Sequence, residues 1–252
     1  ACTDCRRLWG KYRAGEIDDV EIEAVNGRLA PSVGTCMAMG TASTMACVTE
    51  ALGLSLPLSA TIPAPHAERF RSAEASGRVA AAMAKSKGPK PSEILTPSSF
   101  RNAQVVMQAI GGSTNGLIHL TAIANRTQHK VDLEAFDKLG REVPVLVDLK
   151  PSGEHYMEHF HHAGGVPKLM AQLGGLLDLD AKTITGATLR NVVAGAEDVP
   201  GQDAIRPRNN PIKPEGAMAG LQGNPAPRGA VIKPSAAGPK LLQHTGPAAV
   251  FE

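Results

Sequence analysis

Aromatic residues are scarce in this chain of 252 residues: one Trp, two Tyr and five Phe, 3% in all. The chain is long enough to bury a sizeable core, and that core must be built from Ala, Val, Leu, Ile and Met packed closely, often beside Gly. Long hydrophobic runs are missing too. No stretch approaches the ~20 apolar residues of a membrane-spanning helix, and the N-terminal residues, with Asp4, Arg6 and Arg7 around Cys2 and Cys5, lack the apolar centre of a secretory signal. Nor is there an excess of one charge: the net charge is +2 and the basic residues are scattered. That distribution gives no electrostatic footprint for nucleic acid or for a membrane surface. The expectation is a soluble intracellular protein without nucleic-acid or membrane partners, cytoplasmic, or mitochondrial in a eukaryote.

Cysteine is also too sparse for a disulfide scaffold, with four in the whole chain. Cys2 and Cys5 form a C-x-x-C pair, which can hold a metal or a redox disulfide, but a zinc site would want a second pair at matching spacing and the sequence has none. Cys36 and Cys47 are eleven residues apart. On a continuous helix that is ~16 Å of rise, too far for both to reach one small cluster.

What is present is organised around Gly34 to Met45, where small residues surround Cys36 and lead into a helical pattern. From Met37 to Leu52 only Gly40 interrupts helical composition, and Met37, Ala38, Met45, Val48 and Leu52 form an apolar stripe at helical spacing. Cys36 is thereby expected near a helix N-terminus, where unpaired N–H groups and the helix dipole favour a thiolate able to bind metal or attack an electrophile. The alternative is a buried, inert cysteine.

Along the chain, Arg6 to Asn26 is a polar helical region, with Glu16, Asp18 and Asp19 able to start a second set of turns and its charges forming a solvated face. His66 to Lys85 returns to helical composition, and Ala80-Ala81-Ala82 predicts close helix packing; His66 reads as a ligand or as a surface or capping residue. Thr96-Pro97 is an N-cap followed by proline at the first helical position, so Ser98 to Ile110 is helix, ended by Gly111-Gly112. Ser113, Thr114 and Asn115 then open a helix over Gly116 to Asn125. A glycine pair followed by hydroxyl and amide side chains at a helix start suits an anion, and equally suits ordinary capping.

Asp132 caps a short helix closed by Gly140, and Val143-Pro144-Val145-Leu146-Val147 reads as a buried strand of an α/β sheet. Asp148, Lys150 and Ser152 follow its C-terminal end, the place where ligands gather in open α/β sheets. His155 and His159 are four apart, the spacing of a zinc pair on one helix face, but the residue after His155 is Tyr156 rather than the glutamate of H-E-x-x-H. After short helices over Gly164 to Val193, the proline-rich stretch Glu197 to Glu215 marks a composition shift. Beyond it Ala217 to Gln222, Gly229 to Lys233 and Ala248 to Phe251 are short strand-like runs.

The run GTCMAMGTASTMACVTEALGLSLP, Gly34 to Pro57, resembles the third cluster-ligand segment of the iron–sulfur dehydratases that include dihydroxy-acid, phosphogluconate and sugar-acid dehydratases. The resemblance continues through Gly111 to Asn115, VPVLVDLKPSG (Val143 to Gly153), AGGVP (Ala163 to Pro167) and NPIKPEGAMAGLQGNPAPRGAVIKPS (Asn210 to Ser235). It covers roughly Pro31 to Glu252, as an internal fragment of such a protein.

The resemblance implies an α/β fold class: residues 1–214 as the C-terminal part of a layered, cluster-binding α/β domain, and 215–252 as the start of a β-barrel-like domain, with the active site between them. It implies an iron–sulfur cluster held by three cysteines from separate segments, 2Fe-2S rather than 4Fe-4S, with Cys36 matching the third ligand, together with Mg2+. It implies a hydro-lyase acting on a small dihydroxy or sugar acid, with Ser113, Thr114 and Asn115 as candidate substrate contacts. Residues matching the other two cluster cysteines, the magnesium-binding groups and the serine base lie outside these 252 residues. No catalytic residue is expected here, and the fragment alone is expected to be inactive. Cys36 to Thr44 reads closer to the sugar-acid branch than to the branched-chain amino-acid branch. A homodimer or homotetramer is expected. Two other readings remain: a non-catalytic homologue serving as a binding or partner subunit, and a zinc protein using Cys2, Cys5 and the histidines around His159.

Overall fold

The computed structural model describes every residue except 1, 31, 87, 238–242, 244, 248 and 250–252, and the expected strand at 248–251 lies largely outside the described residues. Two small helices come first, α1 (Cys2–Arg13) and α2 (Asp19–Asn26), the latter capped by the Asp18 carboxylate, which accepts from Glu21 N–H at 2.8 Å. They are followed by α3 (Thr41–Ala51), α4 (Ala67–Ser86), α5 (Pro91–Ile94), α6 (Pro97–Ala109), α7 (Thr114–Ala124), α8 (Leu133–Glu142), α9 (Met157–His162), α10 (Gly165–Leu173) and α11 (Leu189–Ala194). A hairpin of β1 (Ala219–Gly223) and β2 (Ala226–Ile232) forms the one sheet among the described residues, antiparallel, with Ala219 opposite Ile232. The expected α/β class is found, weighted heavily towards helix.

α6 is the centre. Thr96 caps it and Pro97 fills its first position, as the sequence predicts. Nine of its thirteen residues are buried, because it is packed on two sides. Val105, Val106, Ala109 and Ile110 join a core with Val143, Leu146, Val147, Phe160, Leu169, Met170 and Leu173. Phe100, Ala103 and Met107 join a second core with Val48, Leu52, Leu117, Leu120 and Phe136. Aliphatic residues dominate both cores, as the shortage of aromatics requires.

The segment 143–149 is extended but belongs to no regular sheet among the described residues. It forms single bridges, Val145 to Lys213 and Val147 to Ile205, so the expected strand is present as one ribbon wedged between the end of α6 and the segment around 204–213. Leu146 N–H donates to Ala109 O at 3.0 Å and Arg206 N–H donates to Leu146 O at 2.8 Å, which gives both sides of the ribbon a partner.

Two expectations about helices are corrected. Gly140 does not close α8, which runs on to Glu142. The glycine is needed for clearance: a Cβ there would stand 2.7 Å from Gln108 Nε2 and 3.1 Å from Met218 O. α4 buries none of its residues, and Ala80, Ala81 and Ala82 are exposed rather than packed. No helix of the described residues is long and apolar enough to cross a membrane.

Candidate functional site

Cys36 is not at a helix start. α3 begins at Thr41, with Gly40 extended at its N-cap (φ −100°, ψ −166°), so the cysteine lies outside the first turn, to which the dipole's effect is confined. The reason is tertiary. Met39 N–H donates to Lys150 O at 2.7 Å and Met157 N–H donates to Met37 O at 2.8 Å, and Ala38 and Met39 are buried. These bonds commit the backbone of 37–39 to the Lys150 loop and the start of α9 rather than to a helical turn. Gly34 shapes the approach: its φ is +115°, and a Cβ there would stand 2.6 Å from the Ala64 Cβ.

The result is an exposed Cys36 on the wall of a cavity of about 660 Å³, within the size range of small-molecule sites. The loop 32–37 forms one wall, Ala42, Ser43, Ala46 and Thr49 of α3 a second, and the segment 59–66 with Arg69 a third. Ser55, Tyr156, Met157 and Glu158 complete it. Tyr156 accepts a hydrogen bond from Lys150 Nζ at 2.9 Å and donates one to Asp4 at 3.2 Å. These bonds bring the Lys150 loop, singled out in the sequence, to the cavity rim. Asp4 and Tyr156 carried no signal that could have marked them.

Ser113, Thr114 and Asn115 do not line this cavity. Ser113 caps α7, which packs against α3. The Ser113 hydroxyl lies 3.1 Å from Thr41 Oγ1, Asn115 Nδ2 donates to the same oxygen at 3.0 Å, and Ser113 N–H donates to Thr44 Oγ1 at 2.9 Å. Ser113 and Asn115 therefore meet the first turn of the helix that Cys36 leads into.

Neither Cys5 nor Cys47 joins Cys36. Cys47 is fully buried, and burial pushes its thiol far above the usual range. Cys5 is half-buried on α1 and does not line the cavity; the side chain of Cys2 lies outside the described residues. Beside the potential donors His66 and Glu158, the cavity therefore offers one accessible thiol among the described residues. That fits a single ligand to an iron–sulfur cluster and does not fit a complete set.

The histidines depart from expectation. α9 begins at Met157, so His155 precedes the helix and does not share a helix face with His159. His155 Nε2 is 3.1 Å from Asp203 Oδ1, and His159 Nδ1 accepts from Tyr156 N–H at 3.1 Å. His161 is buried, with Nδ1 3.1 Å from Thr61 Oγ1 and Nε2 2.9 Å from Glu68 Oε2. Burial lowers its pKa, outweighing the Glu68 carboxylate, which pulls the other way. One further buried acid stands out: Glu50 takes Leu58 N–H at 2.7 Å and Ala60 N–H at 2.9 Å on its two oxygens.

Comparison with known proteins bears on the whole chain. Residues 1–192 match the family description Dihydroxy-acid/6-phosphogluconate dehydratase N-terminal, and residues 203–252 match its C-terminal counterpart. A dihydroxy-acid dehydratase of Rippkaea orientalis is 47% identical over 247 residues, covering 96% of this chain and 44% of the relative. One of Acetivibrio thermocellus is 42% identical over 245 residues, with the same coverage of 96% and 44%. A putative dehydratase IlvD1 of Rhizobium meliloti is 42% identical over 250 residues, 99% of this chain and 43% of its own. This chain thus spans less than half the length of the curated relatives it matches. By these matches, and by its motifs in the same order, it belongs to the dihydroxy-acid/6-phosphogluconate dehydratase family.

Proposed function

We propose that these residues form part of a hydro-lyase that removes water from a 2,3-dihydroxy acid to give a 2-keto acid, and that Cys36 is one thiolate ligand of its iron–sulfur cluster. The observation that carries the reading is the exposed Cys36 thiol on the wall of a 660 Å³ cavity in a chain of this family. The relatives' printed names support a dihydroxy acid as the substrate.

The reaction takes a weakly acidic proton from the carbon beside a carboxylate while hydroxide leaves the next carbon, and the enol relaxes to the keto acid. A cluster held in part by Cys36, with two irons rather than four in this proposal, would supply a Lewis acid for the leaving hydroxyl, and Mg2+ would neutralise charge at the carboxylate end. This chain's own part is placement. Its bonds from Met37 to the start of α9 and from Met39 to the Lys150 loop hold the Cys36 loop against the cavity. Ser113, Thr114 and Asn115 offer the substrate carboxylate a helix start on the neighbouring face. Because the cavity gathers one thiol among the described residues, the 252 residues alone are inactive in this proposal. In the complete protein they act within a homodimer or homotetramer.

Anaerobic iron and sulfide analysis of the complete protein tests the cluster: Cys36→Ser should lose bound iron and turnover together. Iron retained at the wild-type level would remove Cys36 from the ligand set. Turnover by the reconstituted 252-residue chain would overturn the inactivity. A second reading concerns the substrate, since the wording of Cys36 to Thr44 favours a sugar acid such as a pentonate. Comparing turnover of a pentonate with that of dihydroxyisovalerate decides it. Absence of iron and of activity on both would favour a non-catalytic partner subunit.

A further inference from the structure

His66, Glu158 and His162 come from two places in the sequence, and the fold brings them together. Their ligand atoms all lie within 4.8 Å of one another, the one such group of His, Cys, Asp or Glu among the described residues. We propose that these three side chains form a binding site for a divalent transition-metal ion of the Zn2+ type, separate from Cys36.

Glu158 and His162 are four apart on α9, on one helix face, with His162 Nε2 3.9 Å from Glu158 Oε1. His66 stands immediately before α4, its position fixed by its N–H donating to Pro63 O at 3.0 Å. Its ring centroid is 5.8 Å from that of His162, with 35° between the planes. Ligand atoms around a tetrahedral Zn2+ are about 3.3 Å apart, from bonds of about 2.0 Å. Half-buried His66 and exposed Glu158 and His162 can close the remaining gap by small rotations of their side chains.

The bodies carrying the ligands are already fastened to each other. His161, next to His162, is buried and spans from Thr61 to Glu68 by its two ring nitrogens, at 3.1 and 2.9 Å. That contact ties α9 to the segment before α4 and to its first turn. The site is preorganised by a residue that is not itself a ligand.

Two imidazoles and one carboxylate are borderline donors. They select Zn2+, Co2+ or Ni2+ over Mg2+ and Ca2+, which prefer all-oxygen shells. Three protein ligands leave a coordination position open. His66 and Glu158 also line the cavity that holds Cys36, so a bound ion would sit in its wall. His155 and His159, the pair that sequence spacing points to, are engaged with Asp203 and with the Tyr156 backbone and take no part.

Calorimetric titration of the reduced 252-residue chain with ZnCl2 tests the site. The expected result is one equivalent bound, weakened by about tenfold or more in each of His66→Ala, His162→Ala and Glu158→Gln, and unchanged in His155→Ala/His159→Ala and in Cys36→Ser. In the unmodified chain, Zn2+ should shift the imidazole NMR signals of His66 and His162 and leave those of His155 and His159 in place, a readout independent of any variant's folding. Zinc affinity lost in Cys36→Ser but kept in the histidine variants would overturn the assignment, as would unmoved His66 and His162 signals.

Discussion

Cys47 has no exposed surface and sits in the core with Val106, Ala109 and Leu169, whereas Cys36 is exposed on the cavity wall. The same side chain is thus shielded in one place and accessible in the other, and a thiolate cannot form where it cannot be solvated. Iodoacetamide followed by peptide mass spectrometry should modify Cys36 in the native chain and leave Cys47 unmodified until denaturant is added. Equal labelling of both would contradict the burial of Cys47. Glu50 obeys the same physics with the opposite consequence for stability. Burial raises its pKa to about 7 from the usual 4.5, partly offset by the two backbone N–H groups it accepts from. Between those values the folded chain keeps a proton that the unfolded chain has released, so Glu50 lowers stability progressively as pH rises from 4.5 towards 7. The full effect is about 3 kcal/mol. Glu50→Gln has no such slope, but places an amide NH2 against a backbone donor and costs roughly 1–3 kcal/mol. Urea midpoints measured across this range should show the wild type ahead at low pH and the gap shrinking as pH rises; a constant gap would mean that Glu50 does not titrate there.

At the scale of elements, what the sequence made legible was local. Thr96 and Asp132 each accept a backbone hydrogen bond at the start of the helix they were expected to cap, and Asp18 and Ser113 do the same for α2 and α7, because capping needs only the next three residues. The start of α3 was illegible for the converse reason: residues 37–39 have helical composition, but their backbone groups bond to Lys150 and Met157, more than a hundred residues away. The alanines of α4 predicted packing that the described residues do not provide. The α3–α7 contact shows how one residue joins two elements. Thr44 is fully buried; its Oγ1 accepts from Ser113 N–H at 2.9 Å and donates to Met39 Sδ at 3.5 Å. Its methyl group occupies the space left by Gly112 and Gly116, where an added Cβ would meet it at 3.0 and 2.9 Å. Thr44→Val keeps the shape and removes the acceptor, leaving Ser113 N–H without its partner. The expected loss is about 1–3 kcal/mol by chemical denaturation. A variant as stable as the wild type would mean that water or another acceptor replaces the hydroxyl.

At the scale of the whole molecule, buried polar groups join residues far apart in the sequence, among them Gln108 and Met218, 110 residues apart, and no periodicity reveals them. The order of the motifs was readable, and Cys36 could be singled out by resemblance. The meeting of His66 with Glu158 and His162, and that of Gln108 with Met218, depend on how separate elements pack. Gln108 is fully buried near the end of α6 and works as a strand partner: its Nε2 donates to Met218 O at 3.0 Å and its Oε1 accepts from Met218 N–H at 2.9 Å. Beyond that point the β1–β2 hairpin lies on α8, with Gly220 N–H donating to Asp137 at 2.9 Å, and Lys233 returns to Gly111 O at 2.5 Å. Replacing Gln108 with Leu, of similar size, strips two backbone groups of their partner at once. Each orphaned group costs roughly 1–3 kcal/mol, more than a hairpin with so few other anchors can absorb. The helical core does not need the amide, since Val105, Val106, Ala109 and Ile110 bury their side chains independently of it. Gln108→Leu should therefore free the hairpin before it unfolds the body. Hydrogen exchange read by mass spectrometry should show lost protection at 216–232 while α6 and α10 stay protected. Uniform loss across the chain would mean that the hairpin and the helical body form one cooperative unit.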